Sequence, residues 1–354
     1  MSSSLLLLTH LRPRVLARTR PVAIRSFTIS QRLRSDASSV ASAFLSRFQS
    51  LGPQTRTQTI DANQLQLLTL TLNRPTLFPG APSLSNGASA PQSTVPVPPG
   101  YHLAYFTPAF LESELGADGT DASYNPDVPF TRRMWAGGEV LWPRVNGKPN
   151  LLRVGQQVQE TTRVLSAESK VVKKTGEDMI VVGIEKEFSN EHGVNWVFRK
   201  ALPIPSASTP SSAPSSSSTS HIAAPNPTSP VISTEGNTHT RTLVQTPVTL
   251  FRFSALTFNP HKIHYSLPWA RDVEGHKDIV VHGPLNLISI LDLWRDTRQN
   301  ITDSTLVVPE RISYRATSPL YAGDEYRIVL EEGEETNVQI IGPGGVVAMK
   351  AKIH

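Results

Sequence analysis

The segment from His282 through Trp294 (HGPLNLISILDLW) constrains this chain more than any other stretch. Pro284 suits a first helical position, and Leu287, Ile288, Leu291 and Trp294 recur at helical spacing, so a helix with a wide apolar face is expected. Such a face has to be buried against another element. The chain beyond this helix is strand-like: 310–317, 325–331, 338–341 and 346–353 are rich in β-branched and aromatic residues. In the last of these Val347, Met349, Ala351 and Ile353 alternate with Ala348, Lys350 and Lys352, leaving one apolar and one wet face. Gly342-Pro343-Gly344-Gly345 leads into that strand and not into a helix, so it is a hairpin turn and not a phosphate loop.

A further strand is expected over 242–254, ahead of the helix. One apolar helix inserted after the first strand of an antiparallel sheet is the ground plan of the hot-dog fold. The block 134–200 repeats the strand pattern at 140–142, 158–165, 170–174, 178–188 and 195–199, with turn signals at Asn146-Gly147, Thr175-Gly176 and His192-Gly193. Its length suits a second copy whose helix has degenerated. The expected class is therefore α+β, a double hot-dog of antiparallel sheets, each wrapped around a central helix that is degenerate in the N-terminal half. Two short helices precede it. Residues 38–51 place Val40, Ala43, Phe44 and Phe48 at helical spacing, and Asp61 with Gln64 forms a capping box before Leu65, Leu67 and Leu68, ahead of a stop at Pro75. Residues 80–100 read as loop.

The surplus of basic groups, 34 against 29 acidic, arises at the start of the chain. Arg12, Arg14, Arg18, Arg20, Arg25, Arg32 and Arg34 come before the first acid, so the rest is slightly acidic and no nucleic-acid partner is expected. An Arg- and Ser-rich, acid-free start has the composition of a mitochondrial transit peptide, 1–34, with the pattern Arg25-Ser26-Phe27-Thr28-Ile29-Ser30 implying cuts after Ser26 and Arg34. Leu5 to Leu8 is too short to span a bilayer. Ser, Thr, Pro and Ala dominate from Pro203 to Pro230, which is expected to lie in a disordered insert, 203–240. This divides the remainder into 35–202, the N-terminal helices and a non-catalytic half, and 241–354, the catalytic half.

Cysteine is absent, which excludes disulfides, thiolate nucleophiles and Cys-ligated zinc together. G-x-S-x-G, P-loop and HExxH motifs are absent as well. Polar groups concentrate between Ser254 and Gly283, where His261, His264, His276 and His282 fall close together. The carboxylates nearby, Asp272, Glu274 and Asp278, show no ligand spacing, so no metal is expected; histidines satisfied within a polar loop remain an alternative. The other reading is chemical. Asn259 and His264 lie five residues apart, and His282-Gly283-Pro284 opens the apolar helix, where the Gly283 amide would favour developing negative charge. An imidazole beside an oxyanion donor can remove a proton next to a thioester carbonyl and expel water from the β-carbon, with no cofactor.

The strings 253–265 (FSALTFNPHKIHY) and 280–287 (VVHGPLNL), with PFTRRMWAGGEVLW at 129–142, resemble the mitochondrial hydroxyacyl-thioester dehydratase type 2 family, a branch of the MaoC-like (R)-specific enoyl hydratases. The resemblance spans most of 59–200 and 241–354. In the wider superfamily an Asp precedes a His by five residues; here the matching pair is Asn259 and His264, which leaves one ionisable member. The resemblance implies His264 as base and conjugate acid, with His261 as a possible auxiliary, Asn259 orienting water or the imidazole, and the Gly283 amide as oxyanion donor. It implies dehydration of (3R)-hydroxyacyl thioesters to trans-2-enoyl thioesters in mitochondrial type II fatty acid synthesis, with acyl carrier protein or CoA as the thioester partner. Hydration of short or dicarboxylic enoyl-CoA (mesaconyl- or itaconyl-like) and a non-catalytic acyl-binding subunit are the rivals. Lys262, Arg271 and Lys277 are expected near the tunnel mouth, facing an acidic carrier. The chain would be pseudo-dimeric within itself, with room for a homo-oligomer.

Overall fold

A computed structural model describes residues 36–130, 133–134, 136–173, 176–205, 231–298 and 306–354. The expected transit peptide and residues 206–230 of the expected insert lie outside the described residues. No described helix is long and apolar enough to cross a membrane.

The chain begins with α1 (Asp36–Leu51), β1 (Gln54–Thr59) and α2 (Ala62–Thr71), then β2 (Gly137–Leu141), β3 (Gln157–Val171), β4 (Asp178–Asn190) and β5 (Gly193–Pro205). A second series comes next: β6 (Ile232–Glu235), β7 (Thr238–Val244), α3 (Pro247–Leu256), α4 (Gly283–Asp296), β8 (Arg311–Ala316), β9 (Glu325–Glu331), β10 (Thr336–Ile341) and β11 (Val347–Ile353). All these strands join one 11-stranded sheet in the order β1-β3-β4-β5-β2-β8-β11-β10-β9-β7-β6, and the pairings are antiparallel. With β6 set apart as an additional edge strand, each half runs first-third-fourth-fifth-second strand from its edge to the β2–β8 seam, so the halves mirror each other across it. This is the double hot-dog plan. The seam is close: Gly138 pairs with Lys200 on one side and Tyr314 on the other, and a Cβ there would run into the Arg199 backbone oxygen.

The apolar helix α4 is the centre of the C-terminal half. Leu285, Leu287, Ile288, Ile290, Leu291 and Leu293 are all fully buried, as expected for a helix covered on every side. One side meets the sheet; the other meets the N-terminal half, where the long connection before β2 contributes the one-turn 3-10 helix Tyr101–Ala104. Gly100, at φ +89°, brings that turn against α4: a Cβ there would stand 3.0 Å from Leu291 Cδ1. The Tyr101 hydroxyl then donates to Asp292 at 3.1 Å.

Several expectations need correction. The strand expected over 242–254 ends at Val244, and Ser254 lies in α3. Thr246 accepts from the Thr249 amide as an N-cap and Pro247 occupies the first turn, and this start signal overrides the β-branched and aromatic residues after it. The insert expected over 203–240 is too wide: β5 runs to Pro205, and β6 and β7 pair as a hairpin from Ile232↔Arg241 to Glu235↔Thr238. The strands expected at 158–165 and 170–174 are one strand, β3, with a register shift between Val164 and Ser166. The strand β1 has no signal in its own sequence, since QTRTQT is polar; it is held by its ladder to β3. Asp61 caps α2 through the Gln64 amide at 2.7 Å, but the Gln64 side chain bonds the Ala104 and Leu256 carbonyls and leaves the capping box half made.

Candidate active site

A cavity of about 1400 Å³ lies between the two halves, with α3, the loop after it and the start of α4 on its C-terminal side. His264 closes the one-turn helix Lys262–His264. The Ile263 carbonyl accepts from the Val280 amide at 2.8 Å, and the Val280 carbonyl accepts from His264 Nδ1 at 2.7 Å. A carbonyl can only accept, so Nδ1 carries the ring hydrogen and Nε2 is left as the basic atom. Burial, followed by the neighbouring His261, pushes the His264 imidazole down to about 3, with the Val280 hydrogen bond opposing. The ring is therefore neutral near pH 7.

His282, the N-cap residue of α4, stands beside it. Its Nε2 lies 2.9 Å from Ser254 Oγ, and burial first, then His264, holds it well below the usual histidine value. Gly283 is the first residue of α4 and lines the cavity, and among the described residues no side chain caps this helix end, where the first amides lack intrahelical partners. His264 and the N-terminus of α4 thus share one wall of the cavity.

Asn259 also lines the cavity, but its Oδ1 accepts from the His261 amide at 3.3 Å, and among the described residues no hydrogen bond joins it to His264. His261 sits edge-on to His264, with ring centroids 5.3 Å apart. Its Nε2 lies 3.7 Å from Asp118 and 3.6 Å from Glu274. These three residues place ligand-type atoms within 4.8 Å of one another, a grouping that sequence spacing did not suggest because Asp118 comes from a distant loop of the N-terminal half. That loop is pinned here by Lys262, whose amide donates to the Asp118 carbonyl and whose Nζ donates to the Ala117 carbonyl. The expected basic rim is not assembled. Lys262 lines the cavity, but Arg271 pairs with the adjacent Asp272 and Lys277 with Asp324, and neither is part of the lining.

The cavity continues into the N-terminal half past Phe188 and Phe198 to Arg56, Arg133, Lys186 and Lys200. Sequence reasoning missed these cations, although Lys186 stands out in the inward alternation Ile180, Val182, Ile184, Lys186, Phe188.

A family model described as hydroxyacyl-thioester dehydratase type 2 matches residues 100–322. The chain is 30% identical over 282 residues to a mesaconyl-C(4)-CoA hydratase from Chloroflexus aurantiacus, covering 77% of this chain and 89% of that protein. It is 25% identical over 259 residues, 66% of this chain and 77% of the other, to the mitochondrial hydroxyacyl-thioester dehydratase type 2 of Schizosaccharomyces pombe. Among solved structures, a MaoC-like dehydratase from Phytophthora capsici superposes with a TM-score of 0.52 at 12% identity, covering 85% of this chain and 94% of that one. A Mycobacterium tuberculosis protein described as a double hotdog fold gives 0.50 at 12% identity, covering 86% and 96%. These two likenesses bear on the fold alone. The family match over residues 100–322 and the relative at 30% identity decide the family: the chain belongs to the hydroxyacyl-thioester dehydratases of type 2.

Proposed function

We propose that the protein interconverts (3R)-3-hydroxyacyl thioesters and trans-2-enoyl thioesters, with His264 as the reacting base. The observation that supports this best is the fixed tautomer of His264 in the cavity wall that also presents Gly283 at the start of α4. In the dehydration direction Nε2 takes the proton from the α-carbon while the thioester oxygen, gaining negative charge, accepts from the Gly283 amide. That charge, developing close to the ring, raises the proton affinity which burial has lowered. The Cβ–O bond then breaks, and the hydroxide leaves as water with the proton returned by the imidazolium. His261, between Asp118 and Glu274, is placed to assist this return, and Asn259 shapes the loop that carries His261.

The process we assign first is mitochondrial type II fatty acid synthesis on acyl carrier protein, supported by the Arg-rich start of the chain and by the mitochondrial relative. A second reading, hydration of a short dicarboxylic enoyl-CoA, is favoured by the charged inner end of the cavity and by the relative named for mesaconyl-C(4)-CoA. Assaying the chain from Ser35 with 3-hydroxyacyl and enoyl groups on both carriers tests the proposal. Turnover on either supports hydro-lyase activity and their ratio chooses the carrier; binding without turnover would leave the non-catalytic rival standing.

A further inference from the structure

We propose that the exposed apolar side of α3, from Phe251 through Ala255 to Phe258, is the bed of the pantetheine arm that links the acyl thioester to its carrier. The inference rests on the hydro-lyase reading for the chemistry at His264, and it adds how the substrate is held outside that residue.

Helix α3 ends in a turn that a phenylalanine fits badly. Thr257 is the C-cap, the Phe258 amide donates to the Ala255 carbonyl at 3.2 Å and the Asn259 amide to the Ser254 carbonyl at 2.9 Å, which together form a Schellman motif. The motif needs a left-handed residue just after the cap, and Phe258 supplies it at φ +47°. Glycine or asparagine takes that conformation at little cost, whereas the Cβ of a bulky residue crowds its own backbone. The side chain recovers little from burial, being 57% exposed. Backbone strain and an exposed ring at one residue both act against stability, and strain of this kind collects where a ligand is held.

The ring does not stand alone. Phe251, 66% exposed, and Ala255, also exposed, precede Phe258 by seven and three residues, so helical spacing puts them on one side of α3. Val248 extends the stripe outward by another turn. Phe251, Ala255 and Phe258 line the cavity and Val248 does not, so the stripe runs from open surface to the cavity wall. From Phe251 to Phe258 it covers about 10 Å. At its inner end the chain passes directly into Asn259, His261 and His264, and Tyr265, exposed and also lining the cavity, closes this loop on the other side. Apolar surface that is contiguous, exposed and joined to a cavity marks a binding face.

The occupant follows from charge and from direction. Arg252 is the charged residue of α3 and is not part of the lining, while Arg271 and Lys277 are paired away from the cavity. This side of α3 carries no charge into the cavity, so it suits neither the phosphates of CoA nor the acidic surface of a carrier protein. Pantetheine is the uncharged stretch between those groups and the sulfur, and it is common to both carriers. Its methylene and gem-dimethyl groups bury apolar surface on the two rings. Toward the N-terminal half the lining turns inward past Phe188 and Phe198, both buried, which leaves that side for the acyl group. With the α-carbon at His264, the sulfur and the arm point the other way, along α3.

The test keeps the acyl group constant and changes the arm. Crotonyl thioesters of N-acetylcysteamine, which stops after the first amide, of pantetheine and of CoA are compared in hydration. In the wild-type protein kcat/KM should fall about ten-fold or more from pantetheine to N-acetylcysteamine, because binding energy from the arm is lost. Phe258→Asn and Phe258→Gly should each shrink that ratio by about five-fold or more, mainly by raising KM on the longer arms, and leave the N-acetylcysteamine thioester within about three-fold of wild type. Phe251→Ala should shrink the ratio in the same sense. Asparagine and glycine both suit a left-handed turn, so the melting temperature should hold or rise while binding weakens. A purely structural ring would move stability and not the ratio. Equal loss on short and long arms, a ratio unmoved in either the Phe258 or the Phe251 variants, or loss on CoA with none on pantetheine overturns the proposal. So does a loss that grows when crotonyl is replaced by trans-2-octenoyl, which would put the acyl chain on this face. Sedimentation of the same variants covers the remaining occupant: a wild-type dimer that Phe258→Asn dissociates would assign the face to a second copy and overturn the proposal. Should no thioester turn over, the hydro-lyase reading fails separately, and calorimetric binding of butyryl-pantetheine decides. Weaker binding in Phe258→Asn supports the bed; equal binding overturns it.

Discussion

The imidazole of His264 lies flat on that of His282, with ring centroids 3.6 Å apart and planes 18° from parallel. Each ring is tied by its other edge, His264 to the Val280 carbonyl and His282 to Ser254. The stack thus fixes the rotation of the base and joins it to the residue preceding the Gly283 amide. Ser254→Ala leaves His282 Nε2 buried beside a methyl group. The expected cost is about 1–3 kcal/mol in urea unfolding, since a buried polar atom loses its partner. A Ser254→Ala protein with unchanged stability would mean that this hydrogen bond does not hold the stack.

Stability should fall with acid. His102, His264 and His282 are all held below the ordinary histidine value by burial as the main cause. Unfolded histidine titrates near 6.5, so below that pH the unfolded chain binds protons that the native chain refuses. Their contribution is intact above pH 6.5 and is lost as the pH falls, at up to about 1.4 kcal/mol per unit for each ring. Denaturation from pH 8 to 5 should be nearly flat and then descend, and His282→Phe should shallow the descent. An equal slope in that variant would remove His282 from this account.

His264→Ala should lower turnover by about 10²- to 10⁴-fold with the fold intact, the usual contribution of a positioned base. Asn259→Ala should cost less, because its visible hydrogen bond goes to the His261 amide. Asn259→Asp keeps that acceptor and should be tolerated better than Asn259→Ala. Steady-state kinetics of the three variants check the order; near-normal turnover in His264→Ala, with loss in His261→Ala, would move the base to His261.

The C-terminal end of α4 carries a second buried dependence. Asp296 accepts from Arg74 at 2.6 and 2.8 Å and from Arg241 at 2.6 Å, joining α4 to the end of α2 and to β7. Burial pushes its carboxyl up, but the bonds from Arg74 and the charges of Arg74, Arg295 and Arg241 outweigh this and hold it below the usual value. Its contribution is therefore present above about pH 4 and lost as the pH falls through the depressed value. Asp296→Ala strands two buried guanidinium groups and should cost about 3–5 kcal/mol. Thermal unfolding of this variant, compared with an exposed-pair variant such as Asp272→Ala, checks it; equal melting temperatures would show that the network is not coupled to folding.

The helix α4, most of the strands and the presence of His264 and Gly283 in one stretch of chain were legible because each depends on local pattern: helical spacing of Leu287, Ile288 and Leu291, period-two alternation, and a Pro at the first turn. Local pattern misled where two signals overlapped. Residues 242–254 have strand-forming side chains, yet Thr246 and Pro247 start a helix within them, and QTRTQT became β1 only because β3 offered its edge.

The sequence by itself determined the elements of the double hot-dog plan and the stretch 259–283 that lines the C-terminal side of the cavity, since both are carried by residues close in the chain. Only the tertiary structure could bring Asp118 to His261, set Lys186 beside Glu160 and Lys200 near Arg133, and lay His282 on His264. Those contacts join separate segments, some of them strands paired across a sheet, and their distances depend on register and crossing positions that no local spacing encodes. The same limit explains the basic rim. Lys262, Arg271 and Lys277 are near one another in sequence, but Asp272 and Asp324 claim Arg271 and Lys277 and the Ala117 carbonyl holds Lys262, the one of the three that lines the cavity, while Arg56, Arg133, Lys186 and Lys200 line it from the other half of the chain.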